Sequence, residues 1–127
     1  MYLFIDLSVQ DTIALSLLSI NQEPKRFVAQ EKNKELLACV DKFLSQHHLS
    51  TTDIQGIAVV VGAGSFTNTR IGVTLANTWA YVLHIPIAAV SVEEATHIEE
   101  VIPKITAQPI GQYISATYSA EPNIGKK

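Results

Sequence analysis

The residues from Ile57 to Val90 constrain the fold more than any other part of this sequence. An apolar, β-branched run at 57–61 meets a glycine-containing turn, and a helical pattern comes after the turn. A second apolar run, at 87–90, comes directly after a proline. A strand, a tight turn, a helix and a second strand are the repeating unit of parallel α/β sheets. We therefore predict an α/β domain with parallel strands here.

The turn after the first of these strands has two possible roles. Gly62 and Gly64 can adopt positive φ and let the backbone bend sharply. Ser65 and Thr67 can accept hydrogen bonds from the first free N–H groups of the helix. A helix N-terminus of this kind can also bind an anion, although the spacing matches neither the P-loop nor the GxGxxG pattern. A structural βα turn is the favoured interpretation, and phosphate binding stays open.

Composition narrows the class of protein. The chain has 127 residues, of which 47% are hydrophobic and 17% charged, which predicts one domain with a real core. A net charge of −3 argues against an autonomous nucleic-acid-binding protein, which needs a basic face. No apolar run is long enough to span a bilayer. The single cysteine, Cys39, excludes an internal disulfide and fits a reducing cytoplasm. Because Cys39 lies within a helical pattern, we expect a buried or partly buried, inert thiol rather than a nucleophile.

Strand and helix periodicities predict the remaining elements. In chain order they are strands at 2–7, 11–19 and 26–30, a helix at 34–46 capped by Asn33, a strand at 56–61, a helix from 67 or 68 to 83, a strand at 87–90 and a short helix at 92–100. Pro103 and Pro109 interrupt the chain beyond this short helix. Short links among the first three strands, and helical crossovers after them, predict a five-stranded mixed sheet of order 3-2-1-4-5 with strand 2 antiparallel. Both long helices then lie on one face. We expect one domain at 1–110 and a tail at 111–127.

The second long helix carries no charge between Ile71 and Leu83. A surface helix normally has one apolar stripe and a charged back, so this helix is expected to be covered on two sides. Gly72, Ala76 and Ala80 recur every four residues and would let another helix approach closely. That helix is either the first helix of the same chain or one from a partner.

The residues that could do chemistry do not form a catalytic set. The four histidines have no metal-ligand spacing, so we expect no metal site. Ser65 comes after a strand as a nucleophile would, but the sequence is GAGSF rather than GxSxG. Asp6, at the end of the first strand, could hold a metal–phosphate or could cap the turn that comes next. No catalytic residue is assigned.

Several motifs resemble the TsaB (YeaZ) family. The loop GAGSFTNTRIG is similar to the family's GPGSFTGxRIG, with Ala63 and Asn68 as the two departures. The matching loop residues are Gly62, Gly64, Ser65, Phe66, Thr67 and Arg70. The other matching segments are Phe4-Ile5-Asp6, Asn33 to Leu37 with Asp41, Leu49-Ser50 with Asp53, Ile85-Pro86 and Val90-Ser91. The resemblance implies one RNase H-like lobe of the actin/Hsp70/sugar-kinase superfold.

The resemblance also implies a function. TsaB is the non-catalytic partner of TsaD in making threonylcarbamoyladenosine (t6A) at position 37 of tRNA. In this superfold ATP is bound in the cleft between two lobes, and this chain is long enough for one lobe, so no cofactor is expected. The segment 118–124, YSAEPNI, is similar to the family's closing YLREPNI, which leads us to expect a natural compact form without the second lobe.

Partner contacts are implied by the same resemblance, because the two long helices form the family's dimer interface. The residues expected to bind a partner are Leu37, Asp41, Leu44, Gly72, Ala76, Trp79, Ala80 and Leu83. The expected partner is a TsaD-like protein, with a homodimer when the chain is alone, tRNA reached only through the complex, and no membrane. Two alternatives stay open: a small hydrolase or peptidase with Ser65 as nucleophile, and a stand-alone homodimer that has lost the pathway.

Overall fold

A computed structural model of the chain describes residues 1–32, 35–62 and 66–114, with side chains not described at 66–68. Its strands and helices are β1 (Tyr2–Asp6), β2 (Ile13–Leu18), β3 (Lys25–Ala29), α1 (Leu36–Gln46), β4 (Gly56–Val60), α2 (Phe66–Leu83), β5 (Ile87–Val90), α3 (Val92–Ala95) and α4 (Val101–Thr106). Two 3₁₀ turns lie at Thr51–Asp53 and Ile98–Glu100. The predicted cap Asn33 and the tail motif at 118–124 lie outside the described residues.

The five strands form one mixed sheet in the order β3-β2-β1-β4-β5, which confirms the predicted topology. Strand β2 is antiparallel to β1 and β3, whereas β1, β4 and β5 run parallel. Tyr2 of the central strand pairs with Leu18 on one side and with Gly56 on the other. The carboxyl ends of the three parallel strands therefore meet at one edge of the sheet.

The two faces of the sheet carry separate hydrophobic clusters. Alternate strand residues such as Leu3, Leu15 and Val59 pack with side chains of α1 and α2 on one face. The predicted placement of both long helices on one face is confirmed. The intervening residues, such as Phe4, pack with Val101 and the rest of α4 on the other face.

Both long helices end in the same way. His48 after α1 and His84 after α2 have φ values of 57° and 56°, in the left-handed region. In each case the next N–H reaches back five residues, from Leu49 to the Leu44 carbonyl and from Ile85 to the Ala80 carbonyl. This hydrogen bond gives a partner to a carbonyl group in the last turn of each helix, and the left-handed residue turns the chain toward the next element.

Two of the predicted elements differ from the structure. Strand β2 is shorter than predicted because Asp11, with φ of 53°, belongs to the turn that precedes it. The predicted helix at 92–100 is a single turn followed by a 3₁₀ turn, and α4 then continues through Pro103. Proline is tolerated there because the first turn of a helix needs no intrahelical N–H donor. Within the described part of the chain, no helix is long and apolar enough to cross a membrane.

Candidate functional site

The carboxyl edge of the parallel strands holds Asp6 and the βα turn. One Asp6 carboxylate oxygen, Oδ1, accepts hydrogen bonds from the Ser8 N–H at 2.9 Å and the Ser8 hydroxyl at 2.6 Å. The carboxylate therefore caps the turn into β2, as one of the two interpretations of Asp6 predicted. Gly62 has a φ of 79°, which confirms that the turn after β4 uses a positive dihedral.

The rest of the family-motif loop is described only in part. Gly64 and Ser65 lie outside the described residues, as do the side chains of Phe66 and Thr67. Arg70, in the first turns of α2, is exposed to solvent. Anion binding by this loop stays an open alternative.

The small residues of α2 face the sheet of their own subunit. Ala76 is fully buried and Ala80 is 5% exposed. A Cβ atom at Gly72 would lie 3.1 Å from Leu7 Cδ1 and 3.6 Å from Val59 Cγ1. The row therefore lets α2 approach the sheet closely, rather than admitting another helix.

This finding corrects part of the predicted partner surface. Gly72, Ala76 and Ala80 are interior residues, and so is Leu44 of α1, which is 2% exposed. In the folded chain these four residues offer almost no surface to a partner. Sequence periodicity indicated the phase of the helix but not the identity of the element that covers its small-residue side.

The other predicted contact residues are accessible. Leu37 is 51% exposed, Asp41 is exposed, and Trp79 and Leu83 of α2 are partly exposed. Whether they contact a partner stays a proposal. Because these residues lie on α1 and α2, they place the candidate surface on the outer side of the two long helices.

The outer side of α2 also contains apolar residues that the sequence reasoning did not assign to a surface. Val82 is 63% exposed and Tyr81 is 72% exposed. Ile71 and Leu75 line a groove of about 470 Å³ together with Arg70, Thr74 and Thr78. On a helical projection Ile71, Leu75, Tyr81 and Val82 lie on the side of α2 away from Ala76. This position is the sequence signal that could have identified them as surface residues. We refer to Ile71, Leu75, Tyr81 and Val82 as the α2 outer face.

The described side chains show no hydrolytic set. Among the described residues, no histidine side chain hydrogen-bonds to a serine or a carboxylate, and His47 instead packs edge-on against Phe43. Burial, with smaller effects of Glu31 and Glu35, raises the pKa of the Cys39 thiol. Cys39 is 7% exposed, as the sequence predicted for an inert thiol.

One group of potential metal ligands was missed because its members are adjacent rather than spaced by a motif. Ligand atoms of His97, Glu99 and Glu100 lie within 4.8 Å of one another at the 3₁₀ turn. All three side chains are exposed, and exposed acidic groups commonly lie this close without an ion. The geometry alone does not assign a metal to them.

Comparison with known proteins identifies relatives of this fold. The sequence model of the family "TsaD: tRNA N6-adenosine threonylcarbamoyltransferase" matches residues 19–120. The tRNA threonylcarbamoyladenosine biosynthesis protein TsaB of Bacillus subtilis (strain 168) is 31% identical over 115 residues, which cover 84% of this chain and 50% of that protein. The chain thus spans about half the length of the curated relative that it matches.

Two solved structures from Pseudomonas aeruginosa share the fold. One, an uncharacterized protein with similarity to peptidase YEAZ, has a TM-score of 0.65 at 22% identity, and the match covers 79% of this chain and 49% of that one. The other, YeaZ, has a TM-score of 0.63 at 25% identity, and the match covers 71% of this chain and 44% of that one. In both cases the match leaves about half of the longer protein without a counterpart.

Proposed function

The chain belongs to the TsaB (YeaZ) family, and from that premise we propose that it is a non-catalytic subunit that binds a TsaD-like protein in the cytoplasm and supports t6A modification of tRNA. It reaches tRNA only through this complex. The contribution that we propose for this chain is binding rather than chemistry.

The α2 outer face is the observation that carries this proposal. Helix α2 buries one side against its own sheet and leaves Tyr81 and Val82 more than 60% exposed on the other. No charged residue occurs between Ile71 and Leu83 to favour solvent there. Exposed Thr74 and Thr78 lie on the same side, so the surface combines uncharged polar and apolar side chains. A helix side of this kind that the described residues leave exposed is typical of a protein–protein contact.

The burial pattern supports a revised set of proposed contact residues. The partner surface comprises the accessible members of the predicted set, Leu37, Asp41, Trp79 and Leu83, together with the α2 outer face. The same surface would support a homodimer when the chain is alone. The two assemblies then compete, because one copy of α2 cannot be covered twice.

The direct test is complex formation with a TsaD-like protein from the same cell. Size-exclusion chromatography and calorimetry are expected to show a stoichiometric heterodimer. Val82→Arg places a charge where apolar contact forms and should weaken the complex by at least about tenfold. Val9→Arg is the matched control, since Val9 is 62% exposed and lies in the turn before β2. If both variants lose the same affinity for the TsaD-like protein, or if neither loses any, the interface lies elsewhere.

The non-catalytic assignment has a separate test. The chain is expressed in a bacterium depleted of its own TsaB, and t6A in total tRNA is measured by mass spectrometry. Ser65→Ala should restore t6A as well as the unaltered chain, whereas Val82→Arg should not. Loss of t6A in Ser65→Ala, with binding to the TsaD-like protein intact, would favour the hydrolase alternative.

A further inference from the structure

A second accessible groove lies on the sheet face opposite α1 and α2. It has a volume of about 830 Å³ and runs between the β2–β3 turn and the segment that contains the 3₁₀ turn and α4. Its apolar walls are formed by Leu18, Ile20, Pro24, Ile98, Ile102 and Pro103. We refer to it as the hairpin groove. Since α2 lies on the other face, this groove is separate from the proposed TsaD-binding surface.

The ionisable residues that line the hairpin groove are both acidic. Glu23 contributes from the β2–β3 turn and Glu99 from the 3₁₀ turn. Among the described residues, no lysine or arginine lines the groove, and the nearby Lys104 is already paired with Glu94. The groove therefore presents two carboxylates beside an apolar floor, and His97 lies within 4.8 Å of one of them, Glu99.

The turn wall of the groove is held in place by its own residues. The Ser19 hydroxyl donates to the Gln22 side-chain oxygen at 2.9 Å, and Asn21 adopts a φ of 69°. These features preorganise the turn, so a ligand does not have to order it. Ile20 is nevertheless 67% exposed, so the described residues leave a large apolar side chain uncovered at the entrance.

We propose that the hairpin groove binds a short linear segment of another protein, in which one or two apolar side chains are flanked by lysine or arginine. Charge complementarity determines the sign of the flanking residues, because Glu23 and Glu99 are the charges that they would meet. The volume of about 830 Å³ exceeds what a single side chain fills, and the groove is only partly enclosed, so an extended peptide can lie along it.

The test uses a displayed library of random heptapeptides selected on the full chain. The expected outcome is enrichment of sequences with two apolar residues and at least one flanking Lys or Arg. The most enriched peptide, labelled with fluorescein, should bind at least tenfold more weakly to Ile20→Ser and to Glu99→Lys by fluorescence anisotropy. Val28→Ser is the matched control, because Val28 is 66% exposed on β3 and does not line the groove.

Methyl NMR identifies the site and separates the remaining outcomes. Peptide addition should shift the Ile98 and Ile102 methyl signals and leave those of Ile71 on α2 unchanged. Enrichment of acidic peptides, or equal binding to Ile20→Ser and Val28→Ser, would overturn the proposal. Shifts of these methyl signals on dilution of the chain alone, or on deletion of residues 115–127, would also overturn it, since the occupant would then be a second copy or the chain's own end. Neither result bears on TsaD binding, which involves the other face.

Discussion

The Asn77 side chain forms two hydrogen bonds with the backbone of Ile114, 37 residues further along the chain. Its amide nitrogen donates to the Ile114 carbonyl at 3.0 Å, and its amide oxygen accepts from the Ile114 N–H at 3.0 Å. This pair of bonds imitates one step of a β-ladder and ties the segment after α4 back to α2. The Ile114 side chain packs against the cluster that α1 and α2 share with the sheet.

Removing the Asn77 amide should release this segment without unfolding the domain. Asn77→Ala is expected to cost about 1–3 kcal/mol, because two partly buried backbone groups lose their partners. Limited proteolysis should then cut between Thr106 and Ile114 sooner than in the unaltered chain. Thr78→Ala is the control, since the Thr78 hydroxyl bonds to the Thr74 carbonyl of its own helix. Identical cleavage in both variants would show that Asn77 does not hold the segment.

The interior position of Ala76 predicts how the chain responds to a charge at this residue. Ala76→Arg should unfold or strongly destabilise the chain, by several kcal/mol, because a charge is buried against the sheet without a partner. Thr74→Arg, on the exposed side of the same helix, should change the midpoint of urea unfolding only slightly. A folded monomer of Ala76→Arg with unchanged circular dichroism would contradict this packing.

The topology was predictable because its signals are local. The alternation along β2, the apolar runs of β4 and β5, and Gly62 at the turn each depend on neighbours in sequence. Helix α4 was missed because Pro103 and a 3₁₀ turn interrupt the helical period just where the helix begins. The row of Gly72, Ala76 and Ala80 was assigned to a helix contact because the sequence shows only that the three residues share one side of α2. That this side packs against Leu7 and Val59 depends on tertiary structure, which the sequence pattern does not show.

Gly56 is small because α4 crosses directly over it. A Cβ atom at this position would lie 2.5 Å from Ile105 Cγ2 and 3.0 Å from the Tyr2 ring. Gly56→Ala should therefore lower the free energy of unfolding by about 1–3 kcal/mol, as overpacking does elsewhere. Ile105→Ala alone leaves a cavity and should cost about 2–5 kcal/mol. In a double-mutant cycle, Gly56→Ala should cost clearly less in the Ile105→Ala background, and strict additivity would show that the two residues do not meet.

The Glu94 carboxylate links α3 to α4 and should make stability depend on pH. The ion pair with Lys104, and then the hydrogen bond from the Ser91 N–H at 2.8 Å, lower the pKa of Glu94 below its ordinary value of 4.5. A lowered folded-state pKa stabilises the ionised form, so the contribution is present above about pH 4.5 and is lost as pH falls through the folded value. Its size is expected to stay below about 1 kcal/mol, because both side chains are at least 30% exposed.

The substitution Glu94→Gln tests this prediction, because it keeps a capping acceptor but removes the charge. The Tm difference from the unaltered chain should shrink between about pH 6 and about pH 3. Lys104→Met, which removes the largest cause of the pKa shift, should lose most of the same pH dependence. A Tm difference that stays constant over this range would show that the pair does not contribute to stability.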